Sequence, residues 1–231
     1  MWKDAMSEYF EYGEKEIRWL RSRDPVLGAA IDEIGHINRQ VTPDLFSALV
    51  NVIVGQQISS KAQATIWGRM QERLGDITPE SIGSISAEEL QACGISMRKA
   101  FYIKEAANSV LGGSLDLEIL RMLPDEEVCK RLSQIKGIGV WTAEMLMTFS
   151  MQRPDIMSFG DLAILRGLRM LHNHRTITPE LFEKYKRKYS PYATVASLYL
   201  WAIAGGACPD LVDHAPKTKA RKKKDTKKRL K

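Results

Sequence analysis

The sequence is short of the residues that build metal centres and covalent crosslinks. Its three cysteines, Cys93, Cys129 and Cys208, are scattered along 231 residues and none stands in a C-x-x-C pair. A zinc site or an iron–sulfur cluster therefore has no ligand set, no disulfide framework is indicated, and lone thiols fit a reducing compartment. The four histidines, His36, His172, His174 and His214, lack ligand partners; His172 and His174, at the end of a predicted helix, are expected against its last carbonyls. Apolar runs long enough to cross a bilayer are missing, and the opening residues Met1-Trp2-Lys3-Asp4-Ala5 do not form the apolar stretch of a secretory signal. The expectation is a soluble intracellular protein without membrane contact. Sustained alternation of polar and apolar residues is also absent, as is any repeat of solenoid length, so neither a sheet nor a repeat array is indicated.

What the sequence does hold is positive charge, very unevenly placed. Of 34 Lys/Arg and 28 Asp/Glu, residues 217–231 hold ten of the former and one of the latter, a net +9, which leaves −3 for the rest of the chain. A segment with so little to bury is expected to be a disordered polycation, either drawn to nucleic-acid phosphates or simply solubilising.

Elsewhere apolar residues recur at spacings of three and four, the signature of helices. Phe46 to Val54 is nearly continuous in apolar residues and predicts a buried helix closed by Gly55. Ser59 or Ser60 can cap the next, which ends near Gly75. Ser86-Ala-Glu-Glu89 matches a capping box for a short helix stopped by Gly94. A helix is predicted from Met97 to Leu111, ended by Gly112-Gly113, another after Pro124 with its three following acids, and two more after Thr178-Pro179 and Ser190-Pro191.

The most informative stretch is Leu132 to Met147, where one helix ends and another begins around Gly137-Ile138-Gly139. Two glycines flanking an apolar anchor let the chain reverse sharply and leave the first-turn N–H groups of the second helix unsatisfied, a good receptor for phosphate oxygen. Such a turn can equally be close helix packing. If it binds DNA, it grips backbone without reading sequence.

The order of the blocks Asp24-Pro25-Val26-Leu27, Val54 to Ser59, Gly94-Ile95-Ser96 with Lys99-Ala100, the hairpin, Phe159 to Ala163, and Ser197 to Trp201 resembles the helix-hairpin-helix base-excision glycosylases, and among them the DNA-3-methyladenine glycosylase II branch. The resemblance covers most of the chain and implies an all-α fold of two helical subdomains with a DNA-binding cleft between them. Residues 1–45 with 160–210 are expected to form one subdomain and 46–159 the other, with the hairpin at about 126–149 and a basic disordered tail at 211–231.

In that family an aspartate about twenty residues beyond the hairpin carries the reaction, and Asp161 stands 22 residues after Gly139. Breaking an N-glycosidic bond develops positive charge on the sugar, which a fixed carboxylate stabilises while orienting water at C1′. Capping the helix that follows is the plainer role open to Asp161, and it is compatible with catalysis. Strand-cleaving members carry a nucleophilic lysine two residues after the second hairpin glycine; here that residue is Trp141, so hydrolysis without lyase chemistry is implied. An indole face suits a cationic alkylated purine, with Met145 one turn along the same wall, although both could be core. Gln57 falls at the register of the residue that fills the hole left by an extruded base, unless it and Gln56 merely satisfy loop backbone.

The resemblance further places Ser59, Ser60, Lys61, Lys136, Gly137, Ile138, Gly139, Val140 and Thr142 along the DNA. It also allows a monovalent cation at the carbonyls of Ser133, Ile135 and Gly137; no other metal and no organic cofactor is implied. Met157-Ser158 replaces a Phe-Pro pair of the family, which suggests a less rigid loop before Asp161, and Pro191-Tyr192-Ala193 lacks the cation of the usual P-x-R. The expected partner is double-stranded DNA with a damaged base, bound by a monomer. Excision of deaminated or oxidised bases, or lesion binding without catalysis, are the competing readings.

Overall fold

The computed structural model describes residues 9–216. The helices are α1 (Glu14–Arg23), α2 (Pro25–Ile34), α3 (Leu45–Gly55), α4 (Ser60–Leu74), α5 (Pro79–Gly83), α6 (Ala87–Ala92), α7 (Met97–Leu111), α8 (Leu117–Met122), α9 (Asp125–Ser133), α10 (Val140–Phe149), α11 (Leu162–His172), α12 (Pro179–Tyr189) and α13 (Ala193–Ala204). Among the described residues there is no strand, only an isolated bridge between Tyr9 and Gln40. Most helices begin at a short polar side chain that accepts a first-turn N–H: Asp44 caps α3, Ser59 α4, Ser96 α7 and Thr178 α12. Ser86 and Glu89 form the reciprocal capping box of α6.

The helices share two hydrophobic cores. Residues from Leu45 to Ile156, hence α3 to α10, make one. The other combines α1 and α2 with α11, α12 and α13, joined by Met157. Its closest crossing is α11 on α13, where Gly167 lies so near that a Cβ would stand 2.4 Å from the Leu200 carbonyl oxygen. No other residue fits there, so α11 is seated directly on the backbone of its neighbour.

The second core contains a buried charge. Asp24 is 1% exposed and caps α2 through Oδ1, which accepts from Val26 and Leu27 N–H. Its Oδ2 accepts from Tyr189 Oη at 2.8 Å and Lys188 Nζ at 2.8 Å, with His172 Nε2 at 3.3 Å. His174 pairs instead with the Tyr185 hydroxyl. The two imidazole rings therefore turn to the buried carboxylate and the tyrosines, which offer stronger partners, and the last-turn carbonyl of Arg169 is met by the His174 backbone N–H where the sequence suggested the histidines would serve it. Residue 211 is likewise not the start of a disordered tail. Leu211 packs on the second core, and Asp213 accepts from Arg169 Nε at 2.8 Å and Nη2 at 2.9 Å. Residues 217–231 lie outside the described residues.

Candidate active site

α9, the turn and α10 form the helix-hairpin-helix. Gly137 has φ +89°, a value side-chained residues rarely adopt, and a Cβ there would stand 2.7 Å from Tyr102 Cδ2. Ile138 is buried in the first core and pins the turn. Gly139 caps α10 without any side chain, so the first-turn amides are open to a ligand. Val140 is exposed beside them, whereas Thr142, expected along the DNA, is buried. Two residues beyond Val140, Thr142 falls on the inward face of the helix, which leaves only its amide for a phosphate. Lys136 is exposed but paired, its Nζ 3.0 Å from Glu105 Oε1. Of the carbonyls proposed for a cation, Ile135 accepts from Ile138 N–H and Gly137 from the Gln56 side-chain amide. Each keeps a second lone pair.

The loop leading to Asp161 is firmly held despite its Met-Ser departure. Asp155 accepts from Ser190 Oγ and Ala193 N–H, Ile156 N–H donates to Thr194 Oγ1, and Met157 and Ser158 are fully buried. Met157 fills the second core in place of the aromatic. The loss of stiffness expected at this departure is thus countered by the Ser190 hydroxyl at the end of α12 and by the first residues of α13, Ala193 and Thr194.

Asp161 is 8% exposed and has a partner on each side. Oδ1 accepts from Ala163 N–H at 2.9 Å and Ile164 N–H at 3.0 Å, capping α11. Oδ2 accepts from Trp141 Nε1 at 3.0 Å, across from α10. Capping is thus real, and it aims the second oxygen away from the helix. Trp141 is 46% exposed, so its ring is not core; its Cβ rests 3.4 Å from where a side chain on Gly160 would begin. Val140, next to Trp141 in the chain, and Phe159 and Leu162, close to Asp161 in the chain, are exposed apolar residues, and Phe159 rests edge-on against Phe182. Met145 is half-buried on the following turn.

A second carboxylate escaped the sequence reading. Burial pushes the Glu144 carboxyl above its ordinary range, and the charge of Asp161 adds to this; the Ser158 hydroxyl and Lys186 pull the other way. Glu144 lines a cleft of about 610 Å³ between α9, α10 and Lys186 of α12. Nothing in its sequence neighbourhood distinguishes it from a solvent-facing helix residue.

The remaining site candidates lie between α3 and α4. Gln57 is exposed with φ +59°, a left-handed conformation that is uncommon for a residue with a side chain. Ser59 spends its hydroxyl on the Ala62 amide, and Ser60 and Lys61 are exposed on the first turn. Two further residues, Gln56 and Lys99, tie this loop down through carbonyl acceptors, which leave no trace in a sequence.

Residues 50–191 match the family described as HhH-GPD superfamily base excision DNA repair protein. The chain belongs to that superfamily. DNA-3-methyladenine glycosylase 1 of Schizosaccharomyces pombe is 37% identical over 161 residues, covering 68% of this chain and 71% of that protein. The crystal structure of a DNA-3-methyladenine glycosidase from Bacillus halodurans superposes with a TM-score of 0.80 at 35% identity, over 89% of this chain and 96% of that one. The S. pombe enzyme in complex with abasic DNA superposes with a TM-score of 0.70 at 32% identity, over 83% of this chain and 97% of the other. The helix-hairpin-helix fold expected from the sequence is therefore the fold found.

Proposed function

We propose that this protein is a monofunctional DNA glycosylase that acts as a monomer inside the cell, hydrolysing the N-glycosidic bond of alkylated purines such as 3-methyladenine and 7-methylguanine in duplex DNA. The observation that carries the reading is the pairing of Asp161 with Trp141 at the start of the second hairpin helix. It sets a carboxylate and a half-exposed indole side by side where the open amides of α10 would hold the strand.

Each residue then has a task. The hairpin amides from Gly139 to Thr142 bind the phosphate of the extruded nucleotide, with Lys136 exchanging Glu105 for DNA. Trp141, flanked by Met145, stacks on the alkylated ring, whose positive charge favours the indole face by about 0.5–2 kcal/mol. Asp161 stabilises the positive charge growing on the sugar. As the bond breaks, its electron pair goes to the ring nitrogen and cancels the ring's charge, so a good leaving group needs little protonation. Water adds to C1′ and loses its proton, leaving an abasic site. With Trp141 at the lysine position of strand-cleaving relatives, that position supplies no amine to attack C1′.

The test is chromatography of the bases released from methylated duplex DNA, with borohydride present in a parallel reaction. Free methylpurines, abasic sites and no trapped covalent adduct are expected. A trapped adduct would remove the monofunctional assignment, and no methylpurine release would remove the substrate class.

A further inference from the structure

The loop between α3 and α4 is joined to the hairpin by a side-chain strut. Gln56 Nε2 donates to the Gly137 carbonyl at 2.6 Å, across 81 residues of sequence. Behind it, Lys99 Nζ from α7 donates to the carbonyls of Val54 at 2.8 Å and Gln56 at 2.6 Å. These are oxygens at the end of α3, which the helix itself cannot satisfy and which attract a cation. A third brace comes from α4: the Gln63 amide lies against Gly55, within 2.6 Å of where a Cβ would stand, and donates to the Asn51 backbone and side-chain oxygens. Immediately beyond these pinned residues is Gln57, exposed and left-handed.

We propose that Gln56 and Lys99 are positioning residues that fix the α3–α4 loop to the hairpin, so that the hairpin's hold on phosphate sets the depth at which Gln57 enters the duplex. The inference rests on the glycosylase reading for its DNA geometry. An exposed loop could satisfy the same carbonyls with water, at little cost. Using a lysine and a glutamine instead fixes the loop relative to a turn that is remote in sequence. A left-handed non-glycine residue persists only where its surroundings hold it, and the strain is of order 1–3 kcal/mol. Without the strut the loop could relax, and its ordering would have to be supplied during base extrusion.

The experiment uses the full chain and a duplex carrying 2-aminopurine opposite a tetrahydrofuran abasic analogue, whose fluorescence reports entry of a side chain into the stack. Gln57→Ala sets the floor of the signal. At saturating protein, Gln56→Met and Lys99→Met are expected to lose at least threefold of the wild-type change, with affinity for undamaged duplex within twofold of wild type and Lys99→Arg restoring the signal. A merely structural role predicts that melting temperature, affinity and fluorescence fall together. That outcome, an unchanged signal in Gln56→Met, or no signal from the wild type would each overturn the proposal. Base release is scored separately on methylated duplex: a wild type that gives the fluorescence change but frees no base leaves the strut standing and removes the glycosylase reading.

Discussion

Asp161→Asn separates the two jobs of that residue, because the structure assigns them to different oxygens. In the Asn variant the amide oxygen keeps accepting from Ala163 and Ile164 N–H, so the cap of α11 survives. What changes is the other atom: an NH2 group now faces Trp141 Nε1, and the 3.0 Å hydrogen bond is lost. Losing that bond to a charged group costs about 1.5–3 kcal/mol net, and removing a negative charge from a helix N-terminus adds about 0.3–1 kcal/mol. A total of about 2–4 kcal/mol lowers the melting temperature by about 4–16 °C. From a stability of about 7 kcal/mol or more, within the ordinary range, the folded fraction at 25 °C stays above about 99%. A residue that only caps would therefore leave turnover untouched. If the carboxylate instead balances the charge of the sugar, its removal should resemble the loss of a preorganised electrostatic group, about 10³-fold or 4 kcal/mol in rate. The assay is single-turnover release of methylpurine from methylated duplex at saturating protein, beside a thermal melt and anisotropy with undamaged DNA. An Asn variant that melts as stated, binds DNA normally and releases base within tenfold of wild type would refute the reasoning.

Trp141→Phe keeps an aromatic face but removes the N–H to Asp161, and is expected to lower the single-turnover rate while keeping the preference for cationic over neutral lesions. Trp141→Ala should reduce that preference by about 2- to 30-fold, following the cation–π magnitude; competition between 3-methyladenine and a neutral lesion measures it. Gly167→Ala forces a methyl into the Leu200 carbonyl and should cost about 3 kcal/mol or more, a fall of about 6–12 °C in a thermal melt. For pH, burial works against the Asp24 anion, but the bonds from His172, Lys188 and Tyr189 outweigh it and hold its carboxyl far below the ordinary 3.8. The unfolded chain therefore binds a proton there at a higher pH than the folded one, so this stabilisation is complete above about pH 4 and is lost as the pH falls further. Urea unfolding between pH 2 and 7 should show that acid loss, and Asp24→Asn should flatten it.

The parts of the fold that depend on local chemistry were legible. Ser96 and Gly112 bracket α7 at the residues the sequence indicated, and the Ser86–Glu89 box opens α6. The first helices were less so: Asp24-Pro25 stood out as a block of the resemblance, yet it is also a cap and a Pro at the first helical position for α2. Short α5 and α8, of five and six residues, carry too few apolar positions to show a period. In the candidate site, the family resemblance pointed to Asp161 and Trp141, but their hydrogen bond depends on a loop pinned by α13. Glu144 was missed, Lys99 stood only as part of a block of the resemblance and Gln56 only as a candidate partner for loop backbone, and their actual roles were hidden for a shared reason. Two of them bond to carbonyls and the third is perturbed by burial, and none of these interactions selects a recognisable residue pattern.

The arrangement of the two cores also sets an order of assembly. The first is built from one uninterrupted stretch, Leu45 to Ile156, so all its parts have left the ribosome together and it can close as a unit. The second needs Phe10 and Leu20 from the beginning of the chain and Tyr199 and Ile203 from near its end. During synthesis α1 and α2 therefore have only each other to pack on until α11, the next helix of their core, which begins 128 residues after α2 ends; at about 5–20 residues per second this is a wait of order ten seconds. The apolar faces of these two helices are the surfaces that a nascent-chain chaperone would meet.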